Sequence, residues 1–217
     1  MKENLYQYVD HTALKACTTW EEIRKLCREA LKYGMASVCI PSSYVGRAHE
    51  AFPELTICTV VGFPLGNANT AGKLAETRQA LADGASEIDM VINIGALKEG
   101  LYDYVRQEIL EVVKTTGRHK GIVKTILETC ELKDEEIVKA CHLAIEAGAA
   151  YIKTSTGFGK AGATPHAVSL IKETVGDKAQ IKASGGIRDI LTAREMLRLG
   201  ASRIGCSASA AIMESLK

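Results

Sequence analysis

Short runs rich in Val, Ile and Cys alternate with longer segments of helical periodicity from one end of the chain to the other. Eight runs of strand character fall at 8–11, 37–40, 56–61, 87–92, 121–127, 151–154, 180–183 and 203–206, and each leads into a candidate helix. Several helix starts carry capping chemistry. Thr19 with Glu22 fits a capping box, Asp134-Glu135-Glu136 puts acid in a first turn, and Thr164-Pro165 fits an N-cap followed by proline at the first helical position. The helical segments often close on glycine, at Gly34, Gly84, Gly148 and Gly200. Asp83-Gly-Ala85, Ala147-Gly-Ala149 and Leu199-Gly-Ala201 repeat the same exit from helix into strand, so the strand–helix unit is the repeat of the chain.

Alternating strands and helices imply a parallel sheet with right-handed crossovers, and eight such units make a closed (β/α)8 barrel more natural than an open, doubly wound sheet. No Pro/Ser-rich linker or low-complexity stretch divides the 217 residues, so the expectation is an α/β chain with one barrel domain over 1–217.

Composition narrows the partners. The chain is 47% hydrophobic but only 5% aromatic, which suits a barrel filled by Val, Ile, Leu and Ala. Its 27 basic and 26 acidic residues leave a formal charge of +1, without the excess positive charge that nucleic acid or an anionic membrane surface requires, so a small-molecule partner is expected. No stretch approaches the roughly 18 apolar residues of a membrane span, and no apolar signal region opens the chain. Seven scattered cysteines, an odd number without a Cys-x-x-Cys pair, fit thiols in a reducing, cytoplasmic setting. The five histidines show no metal-ligand spacing, so no metal site is expected.

Barrel strands buried on both faces should be apolar, so charges inside them point to chemistry. Asp89 interrupts Glu-Ile-Asp-Met-Val-Ile, Lys124 interrupts Ile-Val-Lys-Thr-Ile-Leu, Lys153 interrupts Tyr-Ile-Lys-Thr-Ser, and Lys182 interrupts Gln-Ile-Lys-Ala-Ser. The lysines are evenly spaced (153 − 124 = 29; 182 − 153 = 29), which predicts equivalent heights on successive strands and convergence toward the axis. Any one of them alone fits a solvated strand end equally well. A free lysine has a pKa of about 10.4, so only on the order of one in a thousand is neutral near pH 7.5. A second ammonium in a partly desolvated pocket destabilises the charged form, a role Lys182 could play for Lys153, while Asp89 could move protons. This is the equipment of a Schiff-base lysine.

Three glycine-containing segments follow the late strands: Thr154-Ser-Thr-Gly157, Ser184-Gly185-Gly186-Ile-Arg188 and Gly205-Cys-Ser207. Barrels often bind phosphate with the loops after strands seven and eight, which makes these segments a plausible anion site, although plain turn and cap roles fit each glycine and Arg188 equally well. Gly157-Phe-Gly-Lys-Ala-Gly162 matches a dinucleotide fingerprint only in letters, since Ala-Thr-Pro follows and the helix opens after the third glycine. Gly66 to Lys73 fails as a phosphate-binding P-loop because Leu74 stands where Ser or Thr is required.

Over essentially its whole length the chain resembles the 2-deoxyribose-5-phosphate aldolase family. The matching segments are Asp10-His-Thr12, Val60-Val-Gly-Phe-Pro-Leu-Gly66, Glu87-Ile-Asp-Met-Val-Ile-Asn-Ile-Gly95, Lys124-Thr-Ile-Leu-Glu-Thr129, Lys153-Thr-Ser-Thr-Gly-Phe-Gly159 and Lys182-Ala-Ser-Gly-Gly-Ile-Arg188. The resemblance implies a TIM barrel that reversibly cleaves 2-deoxy-D-ribose 5-phosphate to acetaldehyde and D-glyceraldehyde 3-phosphate, in deoxyribose catabolism, without metal or organic cofactor. It implies Lys153 as the Schiff-base lysine, Asp89 and Lys182 as a proton-transfer pair, and Lys124 as a group that tunes the field and orders water. Asp10 and Thr12 would line the substrate pocket, with the phosphate near Gly157, Gly185, Gly186, Arg188 and Ser207. A homodimer is an expectation of the resemblance alone. The sequence departs from the family at Ala208, where a second serine is usual, and at Ala13-Leu-Lys-Ala-Cys17, which lacks a common proline.

Three other readings share these residues. One is a Schiff-base lyase acting on another phosphosugar or a keto acid, and another is a non-catalytic sugar-phosphate-binding barrel. The last is a carboxylate–imidazole isomerase using Glu128 and His11.

Overall fold

The computed structural model describes residues 5–207 and 209. Eight parallel strands close into a barrel in chain order: β1 (Val9–Thr12), β2 (Ser37–Ile40), β3 (Ile57–Val61), β4 (Glu87–Val91), β5 (Ile122–Ile126), β6 (Tyr151–Lys153), β7 (Gln180–Ser184) and β8 (Arg203–Cys206), with β8 pairing back to β1. Around them run α1 (Trp20–Tyr33), α2 (Val45–Ala51), α3 (Thr70–Ala82), α4 (Ile94–Lys98), α5 (Tyr102–Gly117), α6 (Asp134–Glu146), α7 (Pro165–Val175) and α8 (Ile190–Arg198). The fourth unit carries two helices, α4 and α5, where one was expected, and the helix expected after β8 lies outside the described residues, as does Ala208.

The helix boundaries follow the local chemistry. Thr19 caps α1 through its hydroxyl, 3.4 Å from the Glu22 N–H, and Glu22 accepts the Thr19 N–H at 2.7 Å. Gly34 ends α1 in the left-handed region at φ 65°. Thr164 caps α7 with Pro165 in its first turn. On α1 the buried residues Ile23, Leu26, Cys27 and Ala30 recur at i, i+3, i+4 and i+7, which gives one apolar stripe facing the barrel.

The strands divide their residues between two environments. Val9, Val38, Ile40, Ile57, Val61, Ile88, Met90, Val123, Ile152, Ile181 and Ile204 join the helices in one hydrophobic core between sheet and helix ring. Each such Val, Ile or Met, once fully enclosed, stabilises the fold by roughly 1.5–3 kcal/mol. The alternate positions, including Asp10, Ser37, Cys58, Glu87, Asp89, Lys124, Tyr151, Lys182 and Arg203, contact one another within the barrel. The interior is therefore polar and charged, and the apolar core lies outside the strands.

Register corrects one expectation. Lys153 pairs with Lys182, so those two stand at one height, but on β5 Lys153 pairs with Ile126 (153 − 126 = 27), and Lys124 pairs with Tyr151. Lys124 thus sits two residues deeper than the other lysines. Closing a barrel staggers its strands, and a stagger of two residues keeps each side chain on its own face. Equal sequence spacing cannot report that shift.

Candidate active site

A cleft of about 670 Å³ opens at the C-terminal end of the barrel, lined among others by Thr12, Lys153, Gly157, Gly185, Arg188 and Ser207. Lys153, the last residue of β6, reaches its floor and is 3% exposed. Its Nζ donates to Asp89 Oδ2 at 2.7 Å, and the same oxygen accepts from Lys182 Nζ at 2.7 Å. The other oxygen of Asp89 accepts from Lys124 Nζ at 2.9 Å and from the Cys58 thiol at 3.1 Å. Asp89 therefore stands between three ammonium groups.

A second layer of charge lies beneath. Asp10 binds Lys182 through Oδ2 and takes Arg203 and the Ser37 hydroxyl, the latter at 2.7 Å, on Oδ1. Glu87 Oε2 sits 2.6 Å from Lys124 Nζ and 3.2 Å from an Arg203 nitrogen. Asp10 is fully enclosed in this layer and lies under the cleft, not on its wall; among the proposed pocket residues of β1, Thr12 is the one that reaches the cavity. Four cations (Lys124, Lys153, Lys182, Arg203) meet three carboxylates (Asp10, Glu87, Asp89), so the floor keeps one positive charge in excess. An anionic substrate entering the cleft meets a favourable field.

Burial by itself would raise the carboxyls of Asp10 and Asp89, yet the surrounding ammonium groups win. Lys182, Lys124 and Arg203 hold Asp10 below the ordinary carboxylate range, and Lys124, Lys153 and Lys182 hold Asp89 well below it. Conversely, burial pulls Lys124 and Lys182 down, but Asp89 and Asp10 drive both above the ordinary lysine value. Depressed carboxylates contribute stability that is fully present above their unfolded pKa, about 3.9, and lost as pH falls through the folded values. The raised lysines contribute fully below about 10.4 and lose it only as pH rises through their folded values. Urea midpoints are thus expected to stay level through neutrality and fall below about pH 4. The slope should approach about 1.4 kcal/mol per pH unit for each of the two carboxylates. A midpoint unchanged between pH 5 and pH 2.5 would contradict this electrostatic picture.

The loops after β6 and β7 are packed glycine against glycine. A Cβ on Gly162 would come 2.1 Å from the Gly185 carbonyl oxygen, and Ala163 N–H donates to both Ser184 and Gly185 carbonyls at 3.0 and 3.1 Å. Gly185 and Gly186 hold left-handed backbone at φ 82° and 77°. Ser184 Oγ donates to the Ser155 carbonyl at 2.6 Å, locking the two loops side by side. Gly162→Ala must push these backbones apart and is expected to destabilise the protein by about 2 kcal/mol or more, read as a lower Tm by calorimetry. An unchanged Tm would mean that the loops have slack at this contact.

The structure brings Lys153, Asp89, Lys182 and Lys124 into one network and sets Gly157, Gly185, Gly186, Arg188 and Ser207 around the cleft above it. Reading the sequence missed Glu87, Arg203 and Cys58. Glu87 lies two residues before Asp89 and so shares its face, a signal available from strand periodicity. Arg203, a charge opening the 203–206 run, carried the same kind of signal as Asp89, whereas Cys58 carried none, because a cysteine in a strand reads as apolar and its partners come from distant strands. The same holds for donors close enough to share an ion: Cys39, Cys58 and Asp89 form one such set and Asp10, Cys58 and Glu87 another, each within 4.8 Å. The second set already surrounds the Lys124 ammonium.

Residues 5–211 match the family model described as DeoC/LacD family aldolase. The chain is 51% identical over 217 residues to a deoxyribose-phosphate aldolase of Caldanaerobacter subterraneus subsp. tengcongensis, covering 99% of this chain and 94% of the relative. It is 50% identical over 214 residues to the enzyme of that name from Carboxydothermus hydrogenoformans, covering 97% and 94%. Among solved structures, an aldolase called QR15 superposes with a TM-score of 0.94 at 40% identity, covering 100% of this chain and 96% of that one. A tetrameric deoxyribose phosphate aldolase from Aeropyrum pernix gives 0.91 at 32% identity, covering 98% and 90%.

Proposed function

The chain belongs to the DeoC/LacD aldolase family, and from that membership we infer that it is a class I aldolase that reversibly cleaves 2-deoxy-D-ribose 5-phosphate to D-glyceraldehyde 3-phosphate and acetaldehyde. The observation that carries this reading is a lysine at the floor of a cleft whose amine shares a carboxylate oxygen with a second, enclosed lysine.

In the cleavage direction Lys153 attacks the C1 aldehyde of the open-chain sugar, and loss of water gives a protonated imine. The C3 hydroxyl then gives up its proton, the C2–C3 bond breaks, and its electron pair passes into the imine to form an enamine. D-glyceraldehyde 3-phosphate leaves as the C3 oxygen becomes its carbonyl. Protonation of the enamine at carbon and hydrolysis release acetaldehyde and restore the lysine. Asp89, which accepts from the Lys153 amine at 2.7 Å, and Lys182, which donates to the same carboxylate oxygen from beneath, relay these protons, and Lys124 anchors Asp89 through its other oxygen. The phosphate would lie against Gly157, Gly185, Gly186, Arg188 and Ser207, with Thr12 at the end of β1, the strand beside β8. None of these steps calls on a metal or an organic cofactor.

Borohydride reduction in the presence of acetaldehyde tests the reading. An ethyl group on Lys153, located by peptide mapping, is the expected result; a folded protein that acquires no adduct would overturn it. The seven cysteines are thiols, which fits the proposed cytoplasmic setting, and no helix among the described residues is long and apolar enough to cross a membrane. Assembly as a homodimer is part of the proposal, and sedimentation would read it directly.

A further inference from the structure

Among the described residues, two that are not glycine have positive φ: Lys120, on an exposed turn, and Glu128, at the mouth of the barrel. Glu128 follows β5 with φ 56° and ψ 63°, in the left-handed region that disfavours a side chain. It is also buried, 4% exposed, and has no ion-pair partner among the described residues. A carboxylate removed from water without a cation, on a strained backbone, is costly to stability. What it holds is the loop that follows Lys153.

The Thr156 hydroxyl donates to Glu128 Oε2, and the Thr156 N–H lies 3.4 Å from both carboxylate oxygens. Thr156 Oγ1 in turn accepts the Phe158 N–H at 3.0 Å. Gly157, with φ 85°, is thereby bracketed between Thr156, which binds the carboxylate, and Phe158, which binds Thr156. The loop passes so close over Glu128 that a Cβ on Gly159 would lie 3.1 Å from its carboxyl carbon. Backbone bonds from Leu127 N–H to the Lys153 carbonyl and from Thr129 N–H to the Thr154 carbonyl, 3.0 and 2.9 Å, fix the two segments in register.

We propose that Glu128 is a positioning residue for the phosphate end of the site: through Thr156 it sets the backbone of Gly157 against the substrate's phosphate, and it takes no part in imine chemistry at Lys153. The proposal rests on the phosphate reading given above. Its signature is selective, since binding of the phosphorylated sugar depends on Glu128 while attack on a small aldehyde does not.

The experiment compares wild type, Glu128→Gln, Thr156→Val and the double variant on 2-deoxyribose 5-phosphate and on unphosphorylated 2-deoxyribose, together with borohydride trapping of acetaldehyde. Each single variant is expected to raise KM for the phosphorylated sugar about tenfold, the size of a lost hydrogen bond to a charged group. The kcat, the trapping yield and kcat/KM for the unphosphorylated sugar should hold within about twofold, and the double variant should do no worse than the poorer single, as coupled partners do. Thr156→Val keeps the Glu128 backbone and charge, and decides the matter if Glu128→Gln does not fold. Equal losses on both sugars, or a fall in trapping, would overturn the proposal. A wild-type enzyme with no preference for the phosphorylated sugar would sink the phosphate reading and this inference together. A wild-type preference that both single variants leave intact would sink this inference alone.

Discussion

Lys153→Ala is expected to lower kcat/KM for 2-deoxyribose 5-phosphate by a factor on the order of 10⁴–10⁶, the range seen when a covalent nucleophile is removed and the rest of a site is left standing. Two other lysines lie nearby, yet neither can take over. Lys182 is held between Asp10 and Asp89, and Lys124 between Asp89, Glu87 and Cys58; both are fully buried, and the cavity wall includes neither. Lys153→Arg refines the test, since it keeps a positive charge beside Asp89 but offers no amine that forms an imine. Both variants should lose activity alike. Stability should change little in the alanine variant, because Asp89 keeps Lys124 and Lys182 as partners. A Lys153→Ala enzyme retaining more than about a hundredth of wild-type kcat/KM would move the nucleophile to another residue.

Asp89→Asn is expected to act on both turnover and stability. Its carboxylate is the meeting point of Lys124, Lys153 and Lys182, all within 2.9 Å, and is itself fully enclosed beneath the cleft. Neutralising it leaves the ammonium groups facing one another across an amide that cannot offset their charge. Removing one partner from a buried charge cluster costs about 3–5 kcal/mol, so the urea midpoint at pH 7 should fall markedly. The kcat should drop by roughly 10²–10⁴, the usual worth of a positioned proton carrier. Borohydride with acetaldehyde should still modify Lys153 in the folded variant, because trapping requires the amine and not the full cycle of proton transfers. A variant as stable as wild type would show that the three ammonium groups rearrange without cost, and one that cannot be trapped would place Asp89 in imine formation itself.

The architecture was legible because its causes are local. Period-two strands, helix caps at Thr19 and Thr164 and glycine exits such as Gly34 depend on residues a few positions apart, and each stands where the pattern put it. The departures are small: the 56–61 run begins at Ile57, the 121–127 run narrows to Ile122–Ile126, and the fourth unit holds an extra short helix. Much of the candidate site was legible for a related reason. A charge in a strand that is otherwise apolar is conspicuous in one dimension, and Asp89, Lys124, Lys153 and Lys182 are of that kind.

What local pattern could not carry was the relation between strands. Spacing put the three lysines at one height, whereas barrel closure staggered β5 against β6 and sank Lys124 by two residues. Asp10 reads as a cavity-wall residue in sequence; in three dimensions it is 172 positions from Lys182 yet bonded to it, beneath the floor. Arg203, Glu87 and Cys58 complete the charge layer only because β8, β4 and β3 face one interior. Glu128 reads in sequence only as a carboxylate, and its left-handed backbone and its hold on Thr156 exist only in the folded chain. The sequence by itself thus determined which elements form, which face each presents and which residue types sit on the inward face. Only the tertiary structure decided which of those inward groups meet, because inter-strand register and the dielectric around each charge are set by closure of the whole barrel.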